Sequence, residues 1–410
     1  MAEMAADTTI GHPGRWRILG AFLVALVLTQ TLWFNFAPLL PMLASRYGVT
    51  ELTASWTVLV FSLSNILLSS AAGEVIDKQG YRFAILLGLI GMTTFASLRI
   101  FEQSFWVLLA GQAGISASVP LIFVCVPRIV ADLFPLKDAP RISGFCSIGI
   151  CVGSSSSLWL SPRIILGMGL RPSMILFAAI VAAWTICFAL LVPRTNAGAT
   201  APTRVEVKSS YAELFRHRSL ALLYLIGFIG HGIFTCVTTW IGVLWHDHGF
   251  SSQAAGIGGS MLIIGGICGC LAVPNLLSRF GSYRLLLWTA FVPCIFLVTP
   301  FLWPSSPSMG FVWGGLMGFF YLSMMPTAYS MVARYAPADR LGAASGLYLT
   351  ISSIGGIIIT ICFRLLKQAT GWHGAIIALE AGFIVMSLLV ALIRDRSPLA
   401  VAEPTFEVAF

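Results

Sequence analysis

Charged side chains are scarce in this sequence. Asp, Glu, Lys and Arg supply only 10% of its 410 residues, where a soluble domain carries about 25%. With 58% hydrophobic residues and a mean hydropathy of +0.90, that scarcity excludes a water-solvated globule and leaves an integral membrane protein. Motifs of chemistry are missing too. No Walker-type loop, dinucleotide fingerprint or zinc-binding spacing occurs, and no metal-ligand set or nucleophile–base pair falls in an apolar run. An enzyme is therefore not expected, nor a cofactor. The nine cysteines are an odd number, each in or beside an apolar run; they read as small packing residues rather than disulfides or metal ligands. No cleavable signal peptide is visible, because residues 1–14 are mixed and polar and the first apolar run is long enough to span. The net charge of +8 is accounted for by topology, so no nucleic-acid partner is expected.

Long apolar runs are what the sequence has in abundance. They fall at about 18–43, 52–76, 83–103, 104–132, 141–166 and 171–193, then at about 219–245, 252–277, 283–304, 307–335, 339–366 and 371–394. Each is long enough for a helix across a hydrocarbon core of ~30 Å. The pattern predicts an all-α integral membrane fold of twelve transmembrane helices in two six-helix bundles. The boundaries are a tail at 1–14, a bundle at 15–193, a linker at 194–218, a bundle at 219–396 and a tail at 397–410. The linker holds Thr195-Asn-Ala-Gly-Ala-Thr-Ala-Pro202 and then basic sequence, which reads as a flexible tether. With the N-terminus inside, 18 of the 24 Lys and Arg residues lie on the cytoplasmic side. Only Arg46, Arg99, Arg163, Arg171, Arg364 and Lys367 fall outside. That bias places both termini in the cytoplasm of a multi-pass plasma (inner) membrane protein.

The loop between the second and third runs reads Gly73-Glu-Val-Ile-Asp77-Lys78-Gln-Gly80-Tyr-Arg82. Gly73 and Gly80 permit close helix contact and a tight reversal. Asp77 can accept from a helix N-terminus or pair with an arginine, while Lys78 and Arg82 hold the loop inside. A degenerate copy, Pro274-Asn-Leu-Leu-Ser278-Arg279-Phe-Gly281-Ser-Tyr-Arg284, follows 201 residues later. The same offset aligns Tyr47-Gly48-Val49-Thr50 with His248-Gly249-Phe250-Ser251. A period of this size in apolar sequence signals two homologous bundles.

These features resemble the major facilitator superfamily of transporters over nearly the whole chain. The resemblance implies two six-helix bundles around one central site that opens alternately to each side. It also implies an inner latch in which Asp77 is held by Arg128 and by the start of the eleventh helix. Gly73, Gly80 and Arg82 would shape that loop, and Glu74 and Asp132 are close enough in sequence to join it. Ordinary surface ion pairs, worth ~0–1 kcal/mol each, are the alternative reading.

Polar residues inside apolar runs form stripes: Ser62, Asn65 and Ser69; Ser147, Cys151 and Ser154; His231, Thr235 and Thr238; Thr350, Ser353 and Thr360. Facing lipid is costly for such groups, so they face a cavity, glue a neighbouring helix or bond back to their own. Four stripes together predict a polar central cavity. In the first span, Gln30 and Trp33 share a face and Asn35 points nearly the opposite way. Only one set faces the cavity unless Pro38 breaks the helix. Trp33 is favoured, as a flat surface for an apolar, aromatic or cationic ligand, with plain core packing the equal alternative. Gln112 lines the cavity or bonds between helices, and His231 is either a titrating group near the centre or one bonded to a neighbour. The candidate substrate-binding residues are Trp33, Asn35, Asn65, Gln112, His231, Thr235 and Ser353. Glu380, a carboxylate well inside a span, is expected away from the cavity. Gly265-x-x-x-Gly269 is a helix-packing signal.

No arginine falls mid-span; Arg99, Arg128, Arg163 and Arg364 are all near ends. That disfavours an inorganic anion or dicarboxylate. The first five spans also lack a mid-membrane Asp or Glu, against a scheme like that of acid-coupled drug antiporters. A narrower set of residues is similar to the feline leukaemia virus receptor-related branch, linked to choline-type amines and haem. It comprises Arg15-Trp16-Arg17, Trp33, Tyr47-Gly48-Val49-Thr50, Trp56, Phe105-Trp106-Val107, Gly111-Gln112 and Val126-Pro127-Arg128-Ile129. On that resemblance Trp33 falls at the branch's substrate-contacting tryptophan, while Val119 replaces a glutamine and Thr235 lies near a tyrosine position. The aromatic cage is thus incomplete, and choline or haem does not carry over. The expectation is a monomeric secondary transporter of a small organic solute, neutral, zwitterionic or cationic, with or without a coupling proton. A multidrug or metabolite efflux pump, and a non-transporting receptor or scaffold, are the rival readings.

Overall fold

The computed structural model describes residues 14–134, 139–193, 217–277, 282–335 and 341–393. The two tails, the linker sequence up to residue 216 and the loop residues Ser278 to Gly281 lie outside the described residues, as do the expectations for those segments. Every regular element described is helical, and no strand occurs among the described residues. In chain order the elements are α1 (Arg15–Phe34), a 3-10 turn (Ala37–Leu39), α2 (Leu40–Tyr47), α3 (Glu51–Leu98), α4 (Phe105–Ser118), α5 (Pro120–Phe123), α6 (Cys125–Leu133), α7 (Ala139–Met168) and α8 (Leu170–Leu191). There follow α9 (Arg218–Asp247), α10 (Ser252–Leu277), α11 (Tyr283–Leu302), α12 (Pro307–Tyr321), α13 (Met324–Tyr335) and α14 (Leu341–Leu392).

Nine segments among the described residues are long and apolar enough to cross a bilayer. Large apolar side chains stand on the exterior, among them Leu67, Leu190, Phe296 and Leu388. Such a surface suits hydrocarbon, where only backbones bonded within their own helix are tolerated. Two helices exceed one crossing, and glycine interrupts both. α3 breaks at Gly80 (φ 81°, ψ 162°) and α14 at Gly371 (φ 74°, ψ −176°). A positive φ is cheap only without a Cβ, so the chain reverses where the sequence places these residues.

The chain forms two compact units. The first takes in Met1–Glu206, Thr235–Ser260 and Gly356–Ile361; the second takes in Val207–Phe234, Met261–Gly355 and Cys362–Phe410. In the first, α1 lies against α7, where the Ser157 hydroxyl donates to the Thr31 carbonyl at 2.7 Å and Ser154 to Gln30 Oε1 at 2.8 Å. At one end of that unit Arg46 makes a two-oxygen pair with Glu102 (2.9 and 2.7 Å). The Tyr47 hydroxyl joins it by donating to the Glu102 carbonyl at 2.7 Å. The last turn of α2 and the residues after α3 are thereby tied together.

Within the second unit, Gly265 and Gly269 lie against the backbone of Gly315 and Phe319, a contact only small residues allow. The Tyr321 hydroxyl donates to the Gly230 carbonyl, and the Trp288 indole to Ser387 at 2.9 Å. Glu380 accepts from the Thr299 hydroxyl at 2.5 Å, tying α14 to α11.

Candidate functional site

The site begins with a proline. Pro38 has no amide hydrogen, and its ring displaces the carbonyl four residues earlier, so α1 stops at Phe34 and Asn35 and Phe36 form a turn. A break in a helix leaves backbone carbonyls that must find other donors. The Leu32 carbonyl finds Gln112, whose Nε2 donates to it at 2.9 Å. Asn35, at the break itself, is fully buried, yet neither Oδ1 nor Nδ2 has a protein partner.

Trp33 is placed differently. Its indole N–H donates to the Val58 carbonyl at 3.0 Å, and its ring stacks on Phe61 with centroids 3.5 Å apart and planes 12° apart. The hydrogen-bonding capacity of Trp33 is therefore used within the protein, and one face of its ring is covered. Beside Phe61, the buried Ser62 hydroxyl has no protein partner. Gln30 is half satisfied: Oε1 accepts from Ser154, while the buried Nε2 is unpaired.

The second half of α9 belongs to the same unit and completes the lining. A Cβ on Gly242 would lie 2.8 Å from the Pro38 Cα and 2.9 Å from the Ala37 carbonyl oxygen, so the absence of a side chain lets α9 touch the broken stretch of α1. Thr239 and Thr235 lie about one and two turns earlier on that face; both hydroxyls are buried and unpaired. Trp240 anchors this half of α9 by donating from its indole to the Thr360 carbonyl at 3.0 Å.

Not every candidate joins this lining. Asn65 is half-buried on α3, and its carbonyl accepts from Ser69 at 2.6 Å. His231 and Ser353 are half-buried in the second unit, His231 with its ring 6.1 Å from that of Phe234. Gln112 is fully buried and bonded at both ends of its amide.

The latch residues are likewise distributed. Arg128 donates to Asp132 at 2.8 Å within α6, and Lys78 pairs with Glu74 at 3.3 Å. The side chain of Asp77 lies outside the described residues, and its pairing with Arg128 with it. Gly73 makes only an ordinary contact toward Val124. Arg82 does something the sequence did not suggest: it donates to the carbonyls of Val192 (2.7 Å) and Ala189 (3.1 Å), at the end of α8. The repeat-related Arg284 donates to Ala391 at 2.9 Å, at the end of α14. A cation on the last carbonyls of a helix also meets the negative end of its dipole.

Arg99 was also missed. Read from sequence it flanks a span, but it is fully buried and donates from Nη1 to Gln112 Oε1 at 2.8 Å. The signal available was the Gly111-Gln112 pair, a small residue and an amide facing an arginine one helix earlier.

Comparison with known proteins agrees with this architecture. The sequence model described as Major Facilitator Superfamily matches residues 22–360 and 284–409. An uncharacterised MFS-type transporter of Caenorhabditis elegans is 22% identical over 407 residues, covering 93% of this chain and 69% of the relative. The choline/ethanolamine transporter FLVCR1 of Felis catus is 23% identical over 358 residues, covering 80% of this chain and 63% of the relative. Among solved structures, a bacterial homologue of the human lysosomal transporter Spinster, in an inward-facing and unoccupied conformation, superposes with a TM-score of 0.70 at 16% identity. It covers 93% of this chain and 95% of that one.

Proposed function

The chain belongs to the Major Facilitator Superfamily, and we propose that it moves a small organic solute across a bilayer by alternating access. The solute is neutral, zwitterionic or cationic. One observation carries this reading: the buried polar atoms of Gln30, Asn35, Ser62, Thr235 and Thr239 have no protein partner, although they sit in helices that are otherwise apolar. Buried polar groups are almost always hydrogen-bonded, so these unpaired groups, with Asn35 at the helix break first among them, support a site where a polar solute is received.

Twelve crossings follow if α3 and α14 each count twice across Gly80 and Gly371, and α1–α2, α4–α6 and α12–α13 once each. The matching roles of Arg82 and Arg284 support two related bundles. With α1 and α9 both crossing outward from a cytoplasmic N-terminus, the contact of Gly242 with Pro38 brings Thr239 level with Asn35. Asn35 is thus the leading solute contact, Thr235 and Thr239 accompany it, and Trp33 supports the lining from behind. Relatives carrying the name choline/ethanolamine transporter make small organic amines the first solutes to try.

The test is uptake of labelled choline and ethanolamine into proteoliposomes holding the purified chain. Saturable uptake lost in Asn35→Ala is expected; uptake by Asn35→Ala equal to the parent would remove Asn35 from the site. The inner latch is tested by Asp77→Asn, which should slow uptake while the protein still inserts. Undiminished uptake by that variant would dispose of the latch.

A further inference from the structure

Arg99 is a cation with no acidic partner. Its side chain is fully buried, and no ion pair to it occurs among the described residues. The nearest acid in sequence, Glu102, is taken by Arg46 and Tyr47. Of the guanidinium nitrogens, Nη1 donates to Gln112, while Nε and Nη2 have no protein partner. Those two lie on one edge of the planar group. Their N–H bonds run nearly parallel and match the two oxygens of a single carboxylate.

The surroundings are built to hold the group in place. Gln112 is fixed at its far end by the Leu32 carbonyl, so its Oε1 points at Arg99 and orients the fork. The guanidinium carbon lies 5.5 Å from the Phe36 ring centre, next to Asn35 in the chain. Position 111 leaves room for the side chain: a Cβ there would lie 2.5 Å from Arg99 Cγ and 2.9 Å from the Phe95 carbonyl oxygen. A buried charge is tolerated when it is paired, and among the described residues no acidic group pairs with Arg99.

We propose that the Nε–Nη2 edge of Arg99 binds one carboxylate, beside the Asn35 break, either on a zwitterionic solute or as a free carboxylate ion bound with it. This deepens the transport reading and rests on it, since the solute narrows to an amine that carries a carboxylate or is bound together with one.

The experiment is thermal stabilisation of the purified full chain in detergent by four probes: choline, glycine betaine, sodium acetate and sodium chloride. Choline and glycine betaine share a quaternary ammonium and differ in bearing a hydroxyl or a carboxylate. If the carboxylate belongs to the solute, glycine betaine stabilises at least tenfold lower concentration than choline, and Arg99→Gln abolishes the difference. If it is a free ion, acetate stabilises alone and strengthens choline, and Arg99→Gln abolishes that effect. Choline and glycine betaine acting equally with no effect of acetate would overturn the Arg99 site while leaving the amine reading intact. Chloride acting as well as acetate would overturn the two-oxygen fork. Acetate acting while neither amine does would keep Arg99 and refute the amine reading. Should Arg99→Gln not fold, Gln112→Glu supplies an internal carboxylate to the same guanidinium. It is expected to weaken stabilisation by glycine betaine or acetate at least tenfold, and unchanged stabilisation would overturn the proposal.

Discussion

Replacing Asn35 with leucine separates a structural residue from a solute contact. The Asn35 amide is fully buried with both polar atoms unpaired, and a buried group left in that state costs ~1–3 kcal/mol. Leucine has nearly the same shape and no such atoms, so the solute-free variant should gain stability by about that amount. The bound state moves the other way. Two hydrogen bonds to a solute, at ~0.5–1.5 kcal/mol each, amount to a loss of about 5- to 150-fold in affinity, since ~1.4 kcal/mol is tenfold. The assays are thermal melting of the detergent-solubilised protein without solute, and equilibrium binding of the solute that stabilises the parent. A higher melting point with weaker binding is the expected pair. A lower melting point with an unchanged Kd would refute the reasoning and return Asn35 to the fold.

Other perturbations test the surrounding framework. A Cβ at Gly269 would clash with the Phe319 carbonyl oxygen, so Gly269→Ala should destabilise by ~1–3 kcal/mol through overpacking. Gly346→Ala, where nothing lies within 4 Å, should leave the melting point unlowered, and equal effects at both would contradict the packing argument. Arg82→Met removes two bonds to the end of α8 and should speed amide exchange in its last turn by roughly tenfold, for ~1–2 kcal/mol lost. Unchanged exchange would show that those carbonyls do not depend on Arg82. Glu102→Gln should cost no more than ~1 kcal/mol, because the Arg46–Glu102 pair is partly exposed. The difference from the parent should shrink in high salt, and a salt-independent loss would point to the Tyr47 contact instead.

The membrane class and the all-helical fold were legible in the sequence because both follow from local composition. A hydrocarbon core demands long apolar runs with internally bonded backbone, and residue counts suffice to see them. Gly80 was legible as a reversal for the same reason: a positive φ is a property of one residue. The break of α1 was legible as a possibility at Pro38. What it would expose was not, because that depends on Gln112, about 80 residues away, reaching the Leu32 carbonyl.

Position along the apolar run put Trp33 and Asn35 well inside the first span, and helical face put them on nearly opposite sides of it. They did not determine which of the two keeps unfilled hydrogen-bonding capacity. That was decided by tertiary structure, where Val58 and Phe61 occupy Trp33 and no protein group reaches the Asn35 amide. Arg82 and Arg99 make the same point in opposite directions. One, expected in a latch, spends its charge on a helix end. The other, expected at a membrane surface, is buried with an open fork. Sequence fixes which groups a side chain carries; only packing fixes which of them find a partner, because hydrogen bonds join residues a hundred positions apart as readily as neighbours.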